Sequence, residues 1–529
     1  MKLHSRWVED TLGRMSLSEK IAQLISARAL SHYTSSDSAE YRRLVGLAER
    51  LKVGGLIFFQ GNSIGQQILT KDLQRRSRVP MLVSQDMEFG PGMRLPHATA
   101  FPSMMAVGAT KNADFAYEVG AITARESRAL GVQQVHAPVA DINSNVDNPI
   151  INTRAFGGSP DAVAKMVSSY IKGVQDERQI ATVKHFPGHG DTAIDSHLSL
   201  PTLDRSRQQL TDRELIPFVA ALEAGVRSVM IGHLAVPSLD PSNVPASLSA
   251  PIVTGLLREE LKYDGLVVTD AMDMQAITNG FGIGEAAVLA IEAGIDMLLM
   301  PADEYEAHSA ILTAVQSGRL TEPRIDQSVR RILREKLWVD LPHAAVGTTA
   351  DLRENLANRH SRNATKRVAE ASITLMYDNA GATIEEEAAS VGVVALYDEQ
   401  CSPYHHALCN ALRVEDNNVV STFRVDAEIE SRCDELVGRV NVIVVAAFVR
   451  VRSHAGRIGL IDGHTALIER LIRSGTRVVL LSLGSPYIGK SFEQSASAFV
   501  CAYSGCDASQ VASAQALLGL IPFNGQLPT

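Results

Sequence analysis

The feature that most constrains this chain is a repeating pattern of short apolar runs. They recur through its first two thirds: GGLIFF at 54–59, PMLVSQD at 80–86, QVHAPVAD at 134–141, IATVKHF at 180–186, VRSVMIGH at 226–233, GLVVTD at 265–270 and DMLLMP at 296–301. Stretches with helical patterning lie between them, such as 112–130 and 159–177. A strand with one wet face alternates apolar and polar residues. These runs barely alternate, so both faces are covered, as in a parallel sheet packed by helices. Seven or eight strand–helix units within about 340 residues predict an α/β fold, a (β/α)8 TIM-type barrel. Several runs end in an ionisable residue: Asp86, Asp141, His185, His233 and Asp270. Barrels of this type carry their chemistry at the C-terminal ends of the strands. A turn or cap accounts for any one of these residues. Five at the same place in the repeat point to a shared site.

Between about 340 and 365 the rhythm stops. DLPHAAVGTT is polar and rich in turn formers, and a helical stretch follows it. Three regions are therefore predicted: a barrel over 1–345, a connecting segment over 346–369, and an α/β sandwich domain over 370–529. The third region contains the runs ITLMY, VGVVALY, VNVIVVAAFV, RVVLLSLG and SAFVCAY. No glycine-rich dinucleotide fingerprint follows its first strand, so no nucleotide is expected.

The 529 residues are 45% hydrophobic, enough for more than one core. A net charge of −9 without a long basic run argues against nucleic acid and anionic membranes as partners. No apolar run is long enough to span a bilayer. The opening MKLHSRWVEDTLGRM lacks the apolar centre of a signal peptide and reads as an amphipathic helix. A cytoplasmic location is expected, or a periplasmic or exported one if a leader has been removed. Cys401, Cys409, Cys433, Cys501 and Cys506 are odd in number and irregular in spacing. They read as buried free thiols rather than a disulfide framework, in keeping with a reducing compartment.

The chemistry concentrates in KHFPGHGDTAIDSH, residues 184–197. His185, His189, Asp191, Asp195 and His197 are all competent metal ligands. Prolines and glycines break the segment into a loop, however, and the first strand end offers no His-x-His pair, so the metal reading is the weaker one and no cofactor is expected. Proton transfer fits better. Asp195 and His197 stand two residues apart, and a carboxylate bonded to one imidazole nitrogen fixes the tautomer and aims the other nitrogen at a substrate. An imidazole titrates near neutrality, with an ordinary pKa of about 6.5. Asp270, closing the apolar run of YDGLVVTDAMDM, is either a helix cap or a nucleophile.

These stretches resemble glycoside hydrolase family 3, in particular its bacterial β-N-acetylglucosaminidase branch. The similarity is carried by KHFPGHGDTAIDSHLSLP, DGLVVTDAMDM, PVADINSNVDNPIINTRAFG and ASLSAPIVTGLLREELKYDG, and more weakly by the closing NGQLP. The resemblance implies a retaining double displacement, with Asp270 as nucleophile, His197 as acid/base and Asp195 as its partner. It implies that Asp86, Arg94, Arg154, Lys184 and His185 hold the sugar and that His233 lines the site, whereas Asp141 orders its loop. It implies a substrate ending in β-linked N-acetylglucosamine, such as a peptidoglycan fragment or a chitooligosaccharide, and a second domain that serves as scaffold or as a wall on the aglycone side. Two departures stand out. MEFGPG replaces the usual EGG after Asp86, and Asp273 occupies a commonly neutral position, where it reads as a solvated helix-start charge. Three rival expectations accompany this reading: phosphorolysis in place of hydrolysis, a catalytically silent sugar-binding protein, and a β-glucosidase.

Overall fold

Eight parallel strands close into a barrel in the computed structural model, which describes residues 2–343, 347–384, 390–399, 404–452, 455–461 and 463–529. The strands are β1 (Ile25–Ser31), β2 (Gly55–Gly61), β3 (Leu82–Gln85), β4 (Gln134–Val135), β5 (Ile180–Phe186), β6 (Ser228–Ile231), β7 (Leu266–Ala271) and β8 (Met297–Leu299). Closure is made by β1 on β8, with Ile25 opposite Leu298 and Ser26 opposite Leu299. All but β1 coincide with the apolar runs. β1 escapes that pattern because Arg28 and Leu30 are exposed near its end, which makes it an alternating strand.

The barrel interior is packed with side chains rather than open. Ile57, Ser84, Met230, Leu266 and Val268, which share the inward face by register, are fully or almost fully buried. A polar tie crosses among them: Gln134 Nε2 donates to Thr182 Oγ1 at 3.0 Å and to Ser228 Oγ at 3.1 Å. Such a bond satisfies groups that would otherwise destabilise the interior by about 1–3 kcal/mol each. Because strand side chains repeat every second residue, the inward direction of Gln134 places His136 on the inner side one step nearer the C-terminal rim. Asp86 likewise follows β3, and Lys184 and Asp270 lie near the ends of β5 and β7.

The second sheet has the order β11-β10-β12-β13-β14-β9, where β9 is Thr374–Asp378, β10 Val391–Tyr397, β11 Val419–Thr422, β12 Val442–Phe448, β13 Arg477–Ser482 and β14 Ala498–Cys501. Its strands run parallel except β9, which pairs antiparallel with β14. Alternate residues of β10 enter opposite cores, Val393 and Ala395 on one face and Val394 and Leu396 on the other. Both faces are therefore covered, as the unbroken apolar runs require.

The chain forms two compact units that do not follow a single linear boundary. One comprises 1–99, 116–142 and 163–361; the other comprises 100–115, 143–162 and 362–529. The sequence boundary at 345–346 falls outside the described residues, as does Cys401. Cys409, Cys433 and Cys501 are buried free thiols, and Cys506 is partly exposed. No described helix is long and apolar enough to cross a membrane.

Candidate active site at the barrel rim

Asp86 is the centre of one cluster. Its Oδ1 accepts from Lys184 Nζ at 2.8 Å, and its Oδ2 accepts from Arg94 Nη2 at 2.9 Å. Lys184 also reaches Glu88 Oε1 at 2.9 Å, and its side chain is almost wholly buried. Burial alone would raise the Asp86 carboxyl, but Lys184 and then Arg94 overturn this and hold it far below its ordinary range. The Arg94 guanidinium lies over the Phe59 ring, 4.9 Å from its centroid. These are rigidly held donors and acceptors of the kind that reads sugar hydroxyls.

Two Asp–His pairs flank this cluster. In the first, Asp141 is fully buried and His185 Nδ1 donates to its Oδ2 at 2.7 Å. The other oxygen of Asp141 accepts from the backbone N–H of His189 at 2.7 Å and of His185 at 3.3 Å. Asp141 thus fastens the start of the loop that follows β5. Burial opposes its ionisation, but the His185 and His189 side outweighs burial and lowers its carboxyl. In the second pair, Asp195 Oδ1 accepts from His197 Nδ1 at 2.8 Å and from His197 N at 2.9 Å. The Asp195 side chain is inaccessible, whereas that of His197 is 24% exposed.

Asp270 sits at the end of β7, half-buried, with Oδ1 accepting from Ala271 N at 2.8 Å. Burial pushes its carboxyl up, but His185, His233, the Ala271 N–H and His197 together lower it to about 2. The group is therefore ionised at any ordinary pH and is close enough to His197 to feel its charge. His233 stands apart from the sequence reading, which had it lining the site. It is fully buried and both ring nitrogens are engaged: Nε2 donates to the Ala271 carbonyl at 3.0 Å and Nδ1 accepts from Ser247 Oγ at 2.7 Å. It holds the end of β7 instead of offering a nitrogen to a ligand.

Asp86, Arg94, Lys184, His185, Asp195, His197, His233 and Asp270 all belong to the barrel unit. Arg154 belongs to the other unit, where its Nη1 donates to the Ile150 carbonyl at 2.7 Å. Two residues of the rim were not singled out in the sequence. Glu88 is the second carboxylate on Lys184. His136 is fully buried with neither ring nitrogen hydrogen-bonded, and its charge would be felt by Asp86, Lys184, Asp270 and Arg94. Burial lowers its pKa to about 4, so it is neutral at pH 7. The available signal was a histidine inside an otherwise apolar run, two residues beyond Gln134. Among the described residues no group of three or more His, Cys, Asp and Glu is arranged to hold a metal ion. The candidate ligands of the loop bond to other partners: Asp191 to Arg205, Asp195 to His197, and His189 Nδ1 to Thr192 Oγ1 at 2.7 Å.

The model of the glycosyl hydrolase family 3 N-terminal domain matches residues 16–335. A β-hexosaminidase A of Pseudoalteromonas piscicida is 28% identical over 91% of this chain and 90% of its own length. A β-N-acetylglucosaminidase/β-glucosidase of Cellulomonas fimi is 32% identical over 71% of this chain and 67% of its own. The solved structure of a family 3 β-N-acetylglucosaminidase from Paenibacillus sp. str. FPU-7 superposes with a TM-score of 0.87 at 33% identity, covering 97% of this chain and 98% of that one. The chain is a glycoside hydrolase and belongs to glycosyl hydrolase family 3.

Proposed function

We propose that the protein is a retaining exo-β-N-acetylglucosaminidase acting on peptidoglycan fragments or chitooligosaccharides. The observation that carries this reading is the Asp195–His197 bond of 2.8 Å, made on a loop of the same rim where Asp270 is held ionised. Asp195 occupies Nδ1, so Nε2 is the nitrogen that exchanges protons with substrate. In the first step an Asp270 oxygen attacks the anomeric carbon, and the glycosidic C–O bond breaks. The electron pair goes to the leaving oxygen, which takes the proton from His197 Nε2. In the second step a water oxygen attacks the same carbon, its proton passes to His197, and the Asp270 carboxylate is regenerated. Asp86, Arg94, Lys184 and His185 hold the ring hydroxyls and the acetamido group. A histidine acid starts as a cation and ends neutral, so the site never holds two facing carboxylates during glycosylation. The N-acetylglucosaminidase and hexosaminidase names of the relatives support the choice of sugar.

The test is a fluorinated slow N-acetylglucosaminide followed by peptide mass mapping. A covalent sugar on the peptide containing Asp270 is expected. A label on another carboxylate overturns the nucleophile assignment, and binding without label supports a silent sugar-binding protein. The same histidine favours a second acceptor, since a neutral imidazole repels an incoming phosphate dianion less than a carboxylate does. Accumulation of the sugar 1-phosphate in phosphate buffer, in place of free sugar, identifies a phosphorylase.

A further inference from the structure

We propose that Asp191 and Arg205 form a clasp that positions the histidine loop, so that Arg205 acts on catalysis through His197; this rests on the reading of His197 as the acid/base. The two residues are 14 positions apart and joined by an ion pair between Asp191 Oδ2 and Arg205 Nε. Asp195 and His197 lie between them. On the near side of the clasp, His189 N is tied to Asp141. Gly190 packs so closely on the Ile142 carbonyl that a Cβ would stand 1.7 Å from its oxygen. On the far side, Leu203 N donates to the Ala235 carbonyl and Ala235 N to the Pro201 carbonyl, each at 2.9 Å.

Between these fixed points the chain leaves the rim and returns. The Asp195 carbonyl accepts from Leu198 N at 2.9 Å and Ser199 N at 3.2 Å, shaping a tight turn around His197. The clasp closes the neck of this excursion. Asp191 is 13% exposed and Arg205 45% exposed, so the pair is partly wet and adds little to stability. Its effect is geometric. A proton donor displaced by about 1 Å can cost up to about 10²-fold in rate, and a neck free to open displaces His197 by that order.

The experiment compares Arg205→Ala, Arg205→Lys and Asp191→Asn, with His197→Ala as reference, on two substrates. One is a nitrophenyl N-acetyl-β-glucosaminide, whose leaving group departs without a proton. The other is a disaccharide, whose leaving alcohol needs one. For Arg205→Ala the expected result is a fall of at least about tenfold in kcat/KM on the disaccharide and less than about threefold on the nitrophenyl substrate, with most of the loss recovered in Arg205→Lys. Azide, a nucleophile that needs no base, restores kcat on the nitrophenyl substrate. Equal losses on both substrates mean a general structural effect and overturn the proposal, as does an unchanged disaccharide rate. Asp191→Asn, nearly isosteric, carries the test if Arg205→Ala does not fold. If His197→Ala shows no split between the substrates, the acid/base assignment fails and takes the clasp's purpose with it. If His197→Ala shows the split and the clasp variants do not, the clasp alone fails.

Discussion

The rim carries the same chemical pair twice, in opposite surroundings. Asp141–His185 and Asp195–His197 are both carboxylate–imidazole contacts through Nδ1, at 2.7 and 2.8 Å. Asp141–His185 is buried on both sides and its carboxylate also binds the backbone of His185 and His189. Asp195–His197 buries the carboxylate but leaves the imidazole partly exposed on a loop. A buried pair cannot exchange protons with an arriving group, but it fixes geometry. A half-exposed pair contributes less to rigidity and can exchange protons. The contact itself does not distinguish them, and their surroundings suit only the second to proton exchange.

His197→Ala tests the contrast most severely. It is expected to lower kcat/KM on a disaccharide by about 10²–10⁴-fold while leaving the urea midpoint unchanged. A comparable loss of stability would make the loop pair structural and erase the contrast. Asp141→Ala is the converse. It leaves a buried imidazole and two N–H groups without their acceptor, and is expected to reduce unfolding free energy by about 3 kcal/mol. Activity should fall alike on good and poor leaving groups, and a leaving-group-dependent loss would move Asp141 into the proton path.

The pH dependence of stability sharpens the same division. His136 is buried neutral, with its pKa lowered to about 4 by burial, and His189 likewise. An unfolded histidine takes its proton near pH 6.5, so stability is full above that value and is lost as pH falls from about 6.5 towards 4. His136→Phe should abolish its share, about 2 kcal/mol between pH 7 and pH 5, as read from urea unfolding at the two values. An unchanged slope would mean that His136 is charged in the fold. The smallest expected effect is Asp195→Asn, about tenfold on the disaccharide, because the amide oxygen still accepts from the imidazole but the bond loses its charge assistance. No loss at all would show that the turn alone orients His197.

The barrel was legible because strands buried on both faces leave continuous apolar runs, and the rim where ionisable groups gather was legible because such residues closed those runs. β1 was not, since Arg28 and Leu30 give it an alternating pattern, and the short β11 was hidden by its polar end, Ser421 and Thr422. Residues 100–115 and 143–162 read as parts of the barrel because local pattern carries no information on which unit a segment packs with. The contact of Asp195 with His197 and the place of Asp270 at the end of a buried strand were legible from residue type and position. His136 was not, because a histidine within an apolar run has no local partner to betray it. His233 was assigned to substrate because a strand-end histidine looks the same whether or not Ser247, 14 residues away, occupies its ring.

That occupation of His233 has a consequence for the proposed reaction. In water, charge leaving a carboxylate forces surrounding dipoles to turn, and that reorientation is part of the barrier. Here the Ala271 carbonyl is held by an imidazole that is itself anchored by a hydroxyl, so under the proposed mechanism the backbone beside Asp270 is already fixed before its carboxylate reacts. The strand end would then serve that proposed nucleophile as a solvent whose dipoles are oriented in advance.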